Sequence, residues 1–116
     1  MSESALGLEQ RLRAAGFEPP LDSELDANDL AALRSANKAI RVSKTLHYHP
    51  DTLEQVKQHV VSIAASHNGA VTLAQLRDEL GTSRKFAQAL LEHLDATKVT
   101  VRRGDAHYVR AGSPIS

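Results

Sequence analysis

The sequence predicts a mainly α-helical fold with small β-hairpins, an α+β class, and three observations carry the prediction. Apolar residues recur at helical spacing in several separate segments, as with Leu53, Val56, Val60, Ile63 and Ala64. Two stretches, around Ile40 to Tyr48 and Val99 to Val109, switch to period-two alternation. The order helix, helix, helix, hairpin then occurs twice at a separation of roughly sixty residues, with Lys38 matching Lys98 and His47-Tyr48 matching His107-Tyr108.

The first helix is carried by Leu6, Leu8, Leu12 and Ala15 and stopped at Gly16, and Pro19-Pro20 makes an extended break. Asp22 or Ser23 opens a single turn. Asp26 caps a second helix that turns Ala27, Leu30 and Leu33 inward and ends near Asn37. Ile40-Arg41-Val42 and Leu46-His47-Tyr48-His49 form a hairpin. Pro50 suits the first position of the longest helix, which closes at Asn68-Gly69. Ala70-Val71 is an extended link, and Thr72 caps a helix with Leu73, Leu76 and Leu80 that Gly81 terminates. Thr82 or Ser83 caps the next, with Phe86, Ala87, Leu90, Leu91 and Leu94 on its apolar side. Val99 and Val101 alternate with Thr100 and Arg102, and Gly104-Asp105 turns the chain back through Tyr108 and Val109. Two helices parted by Gly81-Thr82-Ser83 and followed by a hairpin have the layout of a helix-turn-helix with a wing. The expected architecture is two tandem winged-helix modules: a shortened one over residues 1–50, a second over 51–112, and a disordered tail at 113–116.

Composition excludes much. The 116 residues contain no cysteine, which removes disulfides, thiolate metal sites and cysteine nucleophiles. No apolar run reaches the roughly 18 residues of a membrane span, and MSESALGLEQ lacks the order of a signal peptide, so a cytoplasmic protein with no membrane partner is expected. Fourteen basic residues balance fourteen acidic ones overall. Residues 1–68 nevertheless hold seven Lys/Arg against nine Asp/Glu, and residues 69–116 hold seven against five. Phosphate loops, nucleophile elbows and zinc-protease motifs are missing, so no catalysis and no catalytic residue is expected in this chain.

Two groups of residues suit a polyanion. Leu80-Gly81-Thr82-Ser83-Arg84-Lys85 puts hydroxyls and cations at a helix start whose free N–H groups and dipole favour an anion. A plain hydroxyl cap followed by two solvated cations is the competing reading. Arg102-Arg103 beside Gly104-Asp105 makes a basic wing, although alternation sends the two arginines to opposite faces; such charges also protect edge strands. Arg77, beside Asp78, is either a third contact or a surface ion pair. His47 and His49 with Asp51 fall short of a zinc set and read as solvent-facing strand histidines, and His59, His67, His93 and His107 are placed at element surfaces. No metal is expected.

The run VTLAQLRDELGTSRKFAQALLEHLDATKVTVRRGDAHYVR, residues 71–110, resembles the last winged-helix module of the bacterial selenocysteine-specific translation elongation factor. LRDELGTSRKFAQALLEHLD followed by RRGDAHYVR is its specific part, and LRAAGFEPP with LHYHPD resembles the preceding module. The resemblance implies that the chain is a fragment of such a factor that recognises the selenocysteine insertion (SECIS) mRNA stem-loop and so directs selenocysteine incorporation at UGA. It further implies RNA contacts from Gly81, Thr82, Ser83, Arg84, Lys85, Arg102, Arg103 and Gly104. GTP with Mg, selenocysteinyl-tRNA and the ribosome would be partners of the full-length factor, and this fragment would be a monomer without cofactor. The alternative is a winged-helix DNA-binding transcription regulator, for which Gln88, Glu92 and Asp95 make helix 84–95 a poor groove reader. A protein-docking adaptor is a third reading.

Overall fold

The computed structural model describes residues 2–110; the expected disordered tail at 113–116 lies outside them. Helix α1 (Glu3–Ala15) is followed by a single 3-10 turn (Asp22–Glu24), α2 (Ala27–Ser35), and strands β1 (Ile40–Ser43) and β2 (Leu46–Tyr48). Then come α3 (Pro50–Ala65), β3 (Ala70–Thr72), α4 (Leu73–Leu80), α5 (Arg84–Ala96), β4 (Thr100–Arg103) and β5 (Ala106–Val109). The chain divides into two compact units, Met1–Glu54 and Gln55–Ser116, with the division inside α3. No helix among the described residues is long and apolar enough to cross a membrane.

In the first unit, Ser2 caps α1 by accepting from the Ala5 N–H at 3.1 Å, and Asp26 caps α2 by accepting from Asp29 at 2.9 Å. Ala5, Leu8 and Leu12 of α1 pack with Leu30, Leu33 and Ala39 into one core. Two residues assigned inward by spacing are exposed instead. Leu6 lies one step beyond Ala5, which takes the core position, and Ala27 sits in the first turn of α2, ahead of the stretch that reaches α1. Tyr48, fully buried, donates its hydroxyl to the Phe17 carbonyl at 2.7 Å, and burial together with Glu18 pushes its pKa up.

His47 of β2 and His49, just past its end, correct the expectation of solvent-facing side chains: each is 2% exposed. Each is buried because other elements supply partners for its nitrogens. Arg34 Nη1 donates to His47 Nε2 at 3.1 Å, and His47 Nδ1 donates to Asp22 at 2.9 Å. His49 Nε2 donates to Glu9 at 2.9 Å while its Nδ1 accepts from the Asp51 N–H at 3.1 Å. The His49 bond is the main reason the Glu9 carboxyl titrates below its usual range, with Lys38, His49 and Arg13 adding charge. No metal-binding cluster occurs among the described residues.

The second unit carries a three-stranded antiparallel sheet in the order β3-β5-β4, so the link at Ala70-Val71 is a true strand. Thr72 and Gln75 form a capping box at the start of α4, and Gly81 ends that helix in the left-handed conformation. His107 is also buried, at 6% exposure, against the expectation of a surface position. Its Nδ1 donates to both oxygens of Asp95, at 3.0 and 2.9 Å, and Thr100 Oγ1 donates to the same carboxylate at 2.6 Å. The β4 alternation runs opposite to the expected one, with Thr100 buried and Val101 36% exposed. Carboxylate-bonded Thr100 shares the inner face with His107, and that sends Val101 outward.

The two units repeat one plan, in a register the residue matches alone misplace. Leu33 O accepts from Lys38 N–H at 2.8 Å and Leu94 O from Val99 N–H at 2.9 Å, with Asn37 (φ 59°) and Lys98 (φ 66°) as the left-handed residues. Lys98 thus corresponds to Asn37, not to Lys38. Arg41 pairs across its hairpin with His47, as Arg102 does with His107, and each guanidinium Nε donates to the carbonyl two residues on, Ser43 at 3.3 Å and Gly104 at 3.1 Å. A bulge between Arg41 and Ser43 accounts for the one-residue difference.

Candidate nucleic-acid interface

Helix α5 starts differently from α1, α2 and α4. Ser83 occupies its N-cap position, yet its side chain makes no capping bond. The first bond into the helix runs from Ala87 N–H to Ser83 O at 3.1 Å, which leaves the N–H groups of Arg84, Lys85 and Phe86 directed out of the helix end. Gly81, with φ 64°, makes the left-handed turn that delivers the chain to this point, and Thr82 N–H is tied back to Arg77 O at 3.1 Å. Two exposed cations stand on a dipole end that disfavours them. Lys85 partly offsets this by lying over the Phe86 ring, 5.1 Å from its centroid.

A cleft of about 300 Å³ opens between the starts of α4 and α5 and the β4–β5 wing, and both Arg84 and Arg102 line it with Gln88, Glu92, Asp105 and His107. The Thr100–Asp95–His107 bonds tie the end of α5 to both wing strands, fixing the wing against the helix. Arg102 keeps its guanidinium at the tip through its bond to the Gly104 carbonyl. Gly104, at φ 62°, forms the turn.

The predicted residues therefore separate into groups. Arg84 and Arg102 come together across one cleft, whereas Thr82, Ser83 and Lys85, next to Arg84 in the chain, are not among its lining residues. Arg103 is directed to the other sheet face, where it lies over the Tyr108 ring at 5.8 Å from the centroid. Arg77 is half-buried and paired with Asp78 at 3.1 Å, away from the cleft. Sequence reasoning missed Gln88, Asp105 and His107 as cleft residues. Gln88 could have been found, since it lies one turn beyond Arg84 on the same face. The place of His107 depends on strand pairing. On the same helix, burial and the charge of Lys57 hold the His93 imidazole below its usual pKa.

Residues 62–109 match the family described as elongation factor SelB, winged helix. The selenocysteine-specific elongation factor of Desulfomicrobium baculatum is 31% identical over 106 residues, covering 83% of this chain and 17% of that protein. The chain thus spans about one sixth of the length of the curated relative it matches. Two solved structures share the fold. The mRNA-binding domain of elongation factor SelB from E. coli, in complex with SECIS RNA, is 24% identical, with a TM-score of 0.76 over 96% of this chain and 100% of that one. A bacterial selenocysteine-specific elongation factor EF-Sec is 19% identical, with a TM-score of 0.77 over 95% of this chain and 19% of that one.

Proposed function

The chain is homologous to the C-terminal winged-helix region of the bacterial selenocysteine-specific elongation factor SelB, and from that premise we propose that it binds the SECIS stem-loop of an mRNA and so places the factor at a UGA codon. The observation that carries this reading is the joining of a cationic helix start, whose N-cap Ser83 makes no side-chain capping bond, with a wing arginine across one cleft. The A-form major groove is too deep and narrow for a helix to lie in, so the end of α5 is the part that meets RNA. Phosphates near the hairpin tip accept from the N–H groups of Arg84 to Phe86 and from Thr82 and Ser83, while Arg84, Lys85 and Arg102 supply charge. An unpaired loop base enters the cleft, where Gln88, Glu92 and Asp105 offer hydrogen-bonding groups to its edges. GTP with Mg, selenocysteinyl-tRNA and ribosome engagement belong, in this reading, to the rest of a full-length factor.

A gel-shift comparison of a selenoprotein mRNA hairpin with duplex DNA of equal length tests the proposal. The hairpin should bind, without GTP, and log K should fall with log salt at a slope of about 0.7 to 0.9 per phosphate engaged. Preference for the DNA duplex would replace the proposal with the transcription-regulator reading, and a slope near zero would reduce the cations to solvated surface.

A further inference from the structure

The wing has a second face that the hairpin site leaves unused. Strand pairing aligns Ala70, Tyr108 and Val101 across β3, β5 and β4, and likewise Thr72, Ala106 and Arg103. Directly paired residues share a sheet face. The opposite face holds the buried Val71 and His107, so the face with Tyr108 and Arg103 is the outer one. It bears a shallow recess of about 550 Å³ lined by Val101, Arg103, Tyr108, Val109 and Arg110. Val101 is one of two large apolar side chains exposed among the described residues. Of the two tyrosines, Tyr48 is buried and hydrogen-bonded, whereas Tyr108 stays half-exposed under the guanidinium of Arg103.

We propose that this outer face binds an unpaired RNA segment continuing from the hairpin held on the other side of the wing; the inference rests on the hairpin-binding reading above. Three features select that occupant. The face carries two guanidiniums, Arg103 and Arg110, and no carboxylate, which suits a polyanion. A ring and a guanidinium placed over it form a platform on which unpaired bases stack, while the bases of a duplex cannot reach it. The apolar part of the recess, Val101 and Val109 beside the Tyr108 ring, is too small for the core of a stable protein interface. Continuity supplies the route: Arg102 and Arg103 are adjacent at the tip and face opposite ways, so a strand leaving Arg102 meets Arg103 next.

The test uses the whole chain and two RNAs, the bare hairpin and the same hairpin with a single-stranded extension, on the 5′ or the 3′ side. The extension should tighten binding to the unaltered chain about fivefold or more and steepen the salt slope by about 0.7 for each added phosphate contact. Arg110→Ala, an exposed position, and Tyr108→Leu should each abolish most of that gain and leave affinity for the bare hairpin unchanged. Equal affinity of the unaltered chain for both RNAs would overturn the proposal, as would a gain that survives both substitutions. If instead the chain forms a concentration-dependent dimer that Arg110→Asp disrupts, a second copy covers the face and the proposal also falls. Failure of the bare hairpin to bind would count against the hairpin site itself, which separates the two readings.

Discussion

Helices α2 and α5 hold equivalent places in the two units, yet their starts are opposite in chemistry. Helix α2 opens on Asp26, whose carboxylate caps it, with Asp29 behind, bonded to Ser4. Helix α5 opens on an idle Ser83 followed by Arg84 and Lys85. An acid at a helix start satisfies the free N–H groups and the dipole, whereas cations there are tolerated at a cost. One start meets its dipole with an acid that caps it, and the other, whose N-cap serine makes no side-chain capping bond, is the one proposed above to meet RNA. The clefts differ in the same sense: Arg34 of α2 is turned onto His47 with Asp22 beside it, while Arg84 and Arg102 have no carboxylate partner within salt-bridge distance among the described residues.

The largest effects should come from the two cores. Leu33→Ala and Leu90→Ala should each cost about 2 to 5 kcal/mol through the cavity left behind. Hydrogen exchange should show protection lost mainly in residues 2–54 for the first and 55–110 for the second. Loss spread evenly through both would break the description as two units. Next in size are the cations. Arg84→Ala, Lys85→Ala and Arg102→Ala should each weaken hairpin binding about tenfold or more, as expected for lost charge-assisted hydrogen bonds, without lowering the melting temperature. Arg103→Ala should matter less for the bare hairpin. If Arg84→Ala and Lys85→Ala both bind like the parent, the start of α5 is not the RNA surface.

Converting one helix start into the other isolates the contribution of the cap. Ser83→Asp would give α5 the cap that α2 has, so it should stabilise the second unit by about 1 kcal/mol, read as a higher melting temperature, while lowering RNA affinity. A variant that gains both stability and affinity would show that the uncapped start has no role in binding. The smallest effect concerns pH. Because the folded protein holds His93 below its usual pKa, the stability tied to its neutral form is complete above about pH 6.5 and is lost as pH falls below it. Glu9 is held low instead, so its contribution persists until pH falls through its lowered value. Acidification should therefore loosen the second unit before the first, and His93→Gln should remove that early loss in a pH series of thermal melts.

Much of this was legible in the residues. Pro50, Thr72 and Gly81 mark helix ends through backbone chemistry that is local and needs no knowledge of the fold. The basic start of α5 and the opposed wing arginines follow from caps and from alternation. The buried histidines were not legible, because burial of His47, His49 and His107 depends on Asp22, Glu9 and Asp95, which lie on other elements at distances in sequence that no spacing rule connects. Val101 misled for the same reason: a valine in a strand reads as core until the bond from Thr100 to Asp95 fixes which face is inside. Arg110 is legible as a wing cation on the strand opposite Arg102-Arg103, but the face on which it meets Tyr108 is defined only once β3 joins the sheet.

The bulge in the first hairpin also decides how the two halves of the sequence line up. Arg41 and His47 correspond to Arg102 and His107, but the first pair is separated by one residue more along the chain, and the bulge after Arg41 takes up the excess. A ladder takes up one extra residue at such a point without flipping every later side chain. The cross-strand arginine–histidine pair is therefore present in both units, while the helix starts differ in charge. An alignment of the two halves at a fixed period would misplace one side of the hairpin, and one that allows a gap at Val42 brings both arginines and both histidines into line.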